Sequence, residues 1–268
     1  MNAYLGLTKR LKSNIFPDKL KSRPSQLPRE YEEICKKFSE AMSDPAQNRW
    51  YSARYEEYVA ALTSELPSDR ISCAEMKSNS TLLVGHGGTS VLETSLMLHR
   101  IYGVPYIPGT ALKGLTAHYC HHVLGEEEYN FRPGGDYDVA VFGSTDHGGL
   151  IEFHDAWITP DTVSNSLVQD VMTPHHQAYN SIRLTDLPKS NEVSAPRDDD
   201  DPVPISFIGA KGTFRTILTC SASNVSEEHA AKWLAITREI LNHALEHEGI
   251  GAKTNAGYGR LKLAGGSK

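Results

Sequence analysis

The sequence has 268 residues, of which 39% are apolar and 22% charged, so the chain is long enough to bury a sizeable core. This composition excludes collagen-like, fibrous and wholly disordered chains. No stretch reaches the roughly 18 to 20 consecutive apolar residues of a membrane-spanning helix, and no apolar block with a cleavage site predicts secretion. Four widely separated cysteines without a CxxC pair predict free thiols. We therefore expect a cytoplasmic protein without a membrane partner.

The net charge of −6 is unevenly distributed along the chain. Residues 1–23 carry six basic side chains and one acidic side chain, and residues 249–268 carry four basic side chains and no acidic one. The segment between them is therefore strongly acidic. Because a nucleic-acid ligand requires a local basic patch rather than a basic protein, this pattern fits nucleic-acid binding at one end. It fits two ordinary solvated termini equally well.

Residues 1–70 are predicted to form a basic, partly helical N-terminal extension. The first 30 residues contain three prolines and are expected to have little regular structure. Apolar side chains at helical spacing then indicate a pair of helices over residues 29–64, with a break at Asp44 and Pro45.

A mixed order of strands and helices follows, without the strict alternation of a parallel α/β fold. The predicted elements are strands at 81–84 and 96–102, a helix from Thr110 to Gly125, strands at 150–157 and 168–172, a hairpin of 205–208 with 213–220, a long helix capped by Ser226, and a strand at 261–263. An antiparallel sheet with helices on one face fits this order best. The sequence thus predicts an α+β, ferredoxin-like (RRM-like) domain over residues 71–268, with an acidic surface loop at 187–204.

The strongest local signal is the glycine loop, residues 249–259, which contains four glycines and no acidic residue. Glycines let backbone N–H groups approach a bulky anion closely. The loop does not fit a Walker motif, which would need glycine in place of His247 and Ala252. A plain connection between a helix and a strand remains the alternative.

A second signal is the segment Tyr106–Gly114, here called the PG motif, in which a Pro-Gly turn leads into a helix. Helix N-termini favour anions, and Lys113 follows one turn into the helix. Simple capping beside a solvated lysine is the alternative.

The PG motif and the glycine loop together resemble the RAMP superfamily of CRISPR-associated proteins. Within it, further segments are similar to the sixth-subunit family of the Cmr module, which belongs to type III-B effector complexes. The resemblance covers roughly residues 80–263. The further matching segments are Gly85–Arg100, Phe142–Gly143, Asp170–His175 and Pro202–Phe207.

The resemblance implies an RNA-binding scaffold subunit in antiviral defence. Such a subunit caps the filament of backbone subunits toward the 3′ end of the guide (CRISPR) RNA, contacts backbone and small subunits, and meets target RNA only indirectly. The target-RNA cut belongs to an aspartate of the neighbouring backbone subunit, so no catalytic residue, metal or cofactor is expected here. The residues predicted to contact RNA, without reading its sequence, are Lys113, Gly249, Gly251, Lys253, Thr254, Gly257, Gly259 and Arg260.

Two further readings come from other residue types. Two histidines can serve as acid and base in an endoribonuclease that matures guide RNA precursor, and a purely protein-binding cap is a third possibility. His118 and His122 share a helix face, but no further candidate ligand lies at a spacing typical of zinc sites. We expect structural or contact roles for the histidines, including His175, and an acidic loop without RNA contacts for Asp198–Asp201.

Overall fold

The computed structural model describes residues 27–87, 95–173 and 204–265. Its elements, in chain order, are α1 (Leu27–Ser43), α2 (Pro45–Thr63), β1 (Ile71–Ser78), β2 (Tyr106–Ile107), α3 (Gly109–Tyr119), α4 (Asp136–Phe142), β3 (Glu152–Phe153), β4 (Ala156–Ile158), β5 (Leu167–Met172), β6 (Ile205–Ala210), β7 (Thr213–Thr219), α5 (Glu227–His247) and β8 (Leu261–Leu263). A π-helical turn at Cys120–Leu124 and a short helical turn at Gly125–Glu127 continue α3.

Six strands form one sheet in the order β2-β4-β7-β1-β8, and β3 also pairs with β7. All of these pairings are antiparallel. The path β1–α3–β3/β4–β7–α5–β8 has the βαββαβ order of ferredoxin-like domains, so the predicted fold class is confirmed. Strands β5 and β6 form a separate two-stranded sheet, inserted in the chain between β4 and β7.

The two faces of the main sheet have different surroundings. Residues paired across strands share a face, so Met76 and Phe214, both fully buried, lie on the face that α5 covers. On that face the guanidinium of Arg238 donates to the hydroxyl and carbonyl oxygens of both Ser72 and Thr216. Burial lowers the pKa of Arg238 to about 10. We call the opposite side the open face of the sheet; α2 covers its β4 end, where Tyr58 stacks on Trp157 with ring centroids 4.3 Å apart.

The N-terminal helices begin and end close to where the sequence predicts. The break falls at Asp44, whose carboxylate accepts hydrogen bonds from the amides of Ala46 and Gln47, both at 3.0 Å. Helix α1 packs against β5 and β6. Its buried side chains follow the predicted helical spacing and are Tyr31, Ile34, Phe38 and Met42.

Several predicted strands are wrong, and the largest omission is β1. This central strand reads ISCAEMKS, which has no run of branched apolar residues, because small, polar and charged side chains occupy most of its positions. In the predicted strand at 81–84, Leu82 and Leu83 form only isolated bridges, with Ala210 and Gly251. In the predicted strand at 96–102, Leu98 forms only an isolated bridge with Pro105, and a tight turn follows in which the amide of Gly103 donates to the carbonyl of His99.

The predicted hairpin is also wrong, because its two strands lie in different sheets: β6 pairs with β5, and β7 pairs with β1. Along α3 and the π-helical turn that continues it, the buried face is formed by Leu112, Thr116 and Cys120, whereas Val123 is exposed. The predictions for His175, for Asp198–Asp201 and for the basic residues before residue 27 lie outside the described residues.

Candidate nucleic-acid interface

The glycine loop connects α5 to β8 and is held against the segment that follows β1. The amide of Ile250 donates to the carbonyl of Gly259 at 2.8 Å, which closes the loop at its base. The amide of Gly259 donates to Thr81, and that of Ala252 to Leu83. The loop is therefore a fixed part of the fold.

Two of the loop glycines are required by the protein's own backbone. A Cβ at Gly251 would lie 2.8 Å from the carbonyl oxygen of Leu83, and one at Gly259 would lie 2.1 Å from that of Ile250. Gly259 is also buried, and its amide is already bonded. Gly257, in contrast, is exposed. Apart from its chain neighbours, no atom of the described residues lies within 4 Å of such a Cβ, although its φ of +88° still favours glycine. Gly251 and Gly259 are therefore needed because a side chain would clash with the backbone, whereas Gly257 is needed only for its left-handed conformation.

The outer part of the loop presents a row of amides. Lys253 is left-handed, with φ 62° and ψ 33°, and a 3₁₀ turn at Thr254–Ala256 follows it. Among the described residues, the amides of Lys253, Thr254 and Asn255 have no hydrogen-bond acceptor. Successive N–H groups in a left-handed and then right-handed backbone form a concave anion-binding site. This stretch is where the loop can contact a phosphate.

The three predicted cations differ in what they contact. The side chain of Lys253 is exposed and has no acidic or carbonyl partner within the described part of the chain. Arg260 instead donates to the carbonyls of Glu246 and His247 at the end of α5. Lys113 donates to the carbonyl of Phe142 at 2.7 Å. Of these three cations, Lys253 is the one without a partner among the described residues, so it is the one available to an external anion.

The helix N-terminus in the PG motif is occupied by a group of the protein. The carboxylate of Asp155 accepts a hydrogen bond from the amide of Gly109 at 2.7 Å, and the formal N-cap residue, Pro108, supplies no side-chain cap. Thr110, where the sequence predicts that the helix begins, lies one residue inside it. The carboxylate of Asp155 therefore occupies the position at the helix N-terminus where the sequence predicted that a phosphate could bind.

A small aromatic group, absent from the sequence predictions, lies beside Lys253. The rings of His86 and Phe207 are 5.8 Å apart, and those of Phe207 and Tyr258 are 6.0 Å apart. The hydroxyl of Tyr258 donates to Asp170 at 3.0 Å. Burial lowers the pKa of His86, and the positive charge of Lys253 lowers it further. In the sequence, four of the segments singled out above each contain one residue of this group, but no local pattern predicts that His86, Asp170, Phe207 and Tyr258 come together.

The helix histidines form two separate contacts rather than one site. His121 lies 2.7 Å from the carboxylate of Asp138, and His118 lies 3.6 Å from Glu248 with its ring 4.4 Å from that of His122. In residues 27–87, 95–173 and 204–265, no three His, Cys, Asp or Glu side chains are grouped so that they could hold a metal ion. In the same residues, no helix is both long and apolar enough to cross a membrane.

Comparison with known proteins places the chain in a family. Residues 75–262 match the profile of the RAMP superfamily. A Pyrococcus furiosus protein described as CRISPR system Cmr subunit Cmr6 is 29% identical, over 77% of this chain and 72% of that protein. One from Saccharolobus solfataricus, described as CRISPR system CMR subunit Cmr6, is 24% identical over 66% of this chain, which spans about half (51%) of its length.

A chain in the cryo-EM structure titled Type III-B Cmr-beta bound to cognate target RNA has a similar fold. Its TM-score is 0.56 at 18% identity, with 94% of this chain and 95% of that chain covered. At that identity the likeness concerns the fold alone. The sequence motifs resembled the RAMP superfamily and the sixth Cmr subunit. The superfamily profile and the Pyrococcus furiosus protein confirm this resemblance.

Proposed function

The chain belongs to the RAMP superfamily, and we propose that it is a structural, non-catalytic subunit of a type III-B CRISPR effector complex. In this proposal it binds guide RNA and docks on backbone and small subunits of the Cmr type. It lies at the end of the filament toward the guide 3′ end, in the cytoplasm. The similarity to proteins described as Cmr6 supports the assignment to such a complex.

The observation that carries the RNA-binding part is the outer stretch of the glycine loop. Three consecutive amides, at Lys253, Thr254 and Asn255, point to no acceptor among the described residues, and the ammonium group of Lys253 beside them is unpaired. Amides and an ammonium group bind a phosphate without reading the base attached to it. A guide-binding subunit needs this sequence-independent contact, because each guide carries a different spacer.

The remaining predicted residues enter the proposal in two ways. Gly249, Gly251 and Gly259 shape the loop, and Gly257 lets the chain turn beside the open amides. Lys113 and Arg260 each donate to carbonyl groups of the protein backbone. We propose that they make secondary contacts with RNA, in which an oxygen atom of the RNA backbone lies next to those carbonyls.

The proposal is tested by purifying the full chain alone and with the other subunits of its complex, and measuring bound and cleaved RNA in each preparation. We expect guide RNA to be retained in the assembly and neither guide precursor nor target RNA to be cut by the isolated chain. Cleavage by the isolated chain that disappears in His118→Ala would instead make the protein the endoribonuclease. An assembly that holds guide RNA equally well without this chain would leave the purely protein-binding cap.

A further inference from the structure

The open face of the sheet carries two lysines in direct register. Lys77 on β1 lies opposite Lys262 on β8, and both side chains are exposed. Directly opposite residues in an antiparallel pair have Cβ atoms about 4.5–5.5 Å apart, and like charges in this position destabilise the sheet. Within the described part of the chain, neither ammonium group has an acidic partner.

The neighbouring charges do not relieve this repulsion. The acidic residue nearest along β1 on the same face is Glu75, and its carboxylate is 2.5 Å from the guanidinium of Arg215. On the other side of Lys77, the residue paired with it is the uncharged Thr213. A third exposed lysine, Lys211, lies in the turn that is bonded to Ser78 at the end of β1. This corner of the sheet is therefore locally cationic.

Protection of the sheet edge explains only part of this arrangement. Strand β8 ends the sheet, and a lysine on an edge strand discourages pairing with another chain. That role fits Lys262. It does not fit Lys77, because β1 is an interior strand with β7 on one side and β8 on the other.

The lysine pair is close to the glycine loop along the chain. Lys262 follows Gly259 by three residues, and the amide of Asn79 donates to the carbonyl of Arg260 at 2.8 Å. From Lys77 to Leu83, which bridges to Gly251, the chain spans at most about 20 Å. A flexible polyanion of a few nucleotides can reach both places.

We propose that Lys77 and Lys262, with Lys211 beside them, form a second binding site for the sugar–phosphate backbone of RNA. The site rests on the proposed function and extends it from the glycine loop onto the open face of the sheet. One phosphate between the two ammonium groups replaces their repulsion with two attractions. Because ammonium groups act as point charges, the site binds any RNA sequence.

The test uses the assembled complex, with Lys77→Gln and Lys262→Gln combined in this chain and RNA retention measured over a salt series. Each phosphate neutralised on single-stranded RNA contributes a slope of about 0.7 in log K against log salt, so loss of the one phosphate held between the two lysines should flatten the slope by about 0.7 in the double variant. Lys232→Gln is the matched control, because Lys232 is exposed but already paired with Glu228. It should leave the slope unchanged.

A second readout separates binding from folding. Without RNA, the double variant should unfold at the same temperature as the wild type or a higher one, because the like-charge pair is gone. If it fails to fold, Lys262→Gln alone carries the same test with a smaller change in slope, because Lys77 still contacts the shared phosphate.

The outcomes distinguish this site from the glycine loop. An unchanged slope in the double variant, together with a flatter one in Lys253→Ala, would overturn the lysine site and leave the proposed function standing. Unchanged slopes in both variants would overturn both. Loss of assembly with unchanged RNA affinity would show that the lysines contact an acidic protein surface, which also overturns the site.

Discussion

The glycine loop and the PG motif look alike in the sequence and differ in the folded protein. Each combines glycines with a lysine, and each could cradle an anion. In the PG motif the chain satisfies both groups itself: Asp155 accepts from the helix N-terminus, and Phe142 accepts from Lys113. In the glycine loop the amides from Lys253 to Asn255 and the Lys253 side chain find no partner among the described residues. A polar group without an internal partner is the one available to a ligand.

The largest effect expected from this comparison concerns the loop itself. Gly259→Ala places a Cβ on the carbonyl oxygen of Ile250 at a left-handed position, so we expect a loss of about 3 kcal/mol or more in unfolding free energy. RNA retention should fall with it. The measurement is denaturant unfolding of the isolated chain.

Gly257→Ala is the matched control, because its φ is similar but, apart from its chain neighbours, no atom of the described residues lies within 4 Å of the added Cβ. Strain alone should then cost about 1–2 kcal/mol. Equal losses at the two positions would mean that contact with Ile250 does not constrain the loop.

At the helix N-terminus of the PG motif the effect should fall on stability alone. Asp155→Ala removes the acceptor for the Gly109 amide, and we expect a loss of about 1 kcal/mol in unfolding free energy with an unchanged salt dependence of RNA retention. Asp155→Asn keeps an acceptor oxygen and should recover most of the loss. A flatter salt dependence in the alanine variant would show that this helix end takes part in RNA binding after all.

The comparison also shows what the sequence could and could not predict. The helix break at Asp44, the Ser226 cap and the last strand were predictable, because capping residues and glycines act locally. Strand β1 was not, since its residues are specified by partners far along the chain: Arg238 lies 166 residues beyond Ser72. For the same reason, the carbonyl partners of Lys113 and Arg260 could not be predicted from the sequence. Whether a lysine or amide is free depends on tertiary neighbours that no local pattern contains.

A smaller effect is expected at the unpaired lysine of the loop. Lys253→Ala removes an exposed charge that has no partner among the described residues, so stability should be unchanged within about 0.5 kcal/mol. RNA retention by the assembled complex should fall for every guide sequence alike, and its salt dependence should flatten by roughly one unit. A loss confined to particular guide sequences would indicate that the loop reads bases.

The smallest effect is a change in the titration of His86. Burial lowers the pKa of this imidazole below its ordinary value of 6.5, and the charge of Lys253 lowers it further. The unfolded chain therefore binds more protons than the folded one just below pH 6.5, so this residue's contribution to stability is fully present above pH 6.5 and is lost as the pH falls through the lower, folded pKa. Lys253→Ala should raise the pKa of His86 partway toward 6.5. NMR titration of the imidazole proton measures both values.

Bound RNA should also raise the pKa of His86. A phosphate held by the amides from Lys253 to Asn255 brings negative charge beside the imidazolium form, which it stabilises. Wild-type His86 should therefore titrate at a higher pH in the RNA-bound complex than in the free protein. In Lys253→Ala the shift on adding RNA should be smaller, because less phosphate is held at the loop. An unchanged titration on adding saturating RNA to the wild-type complex would place the phosphate elsewhere and contradict the assignment of this loop as the contact.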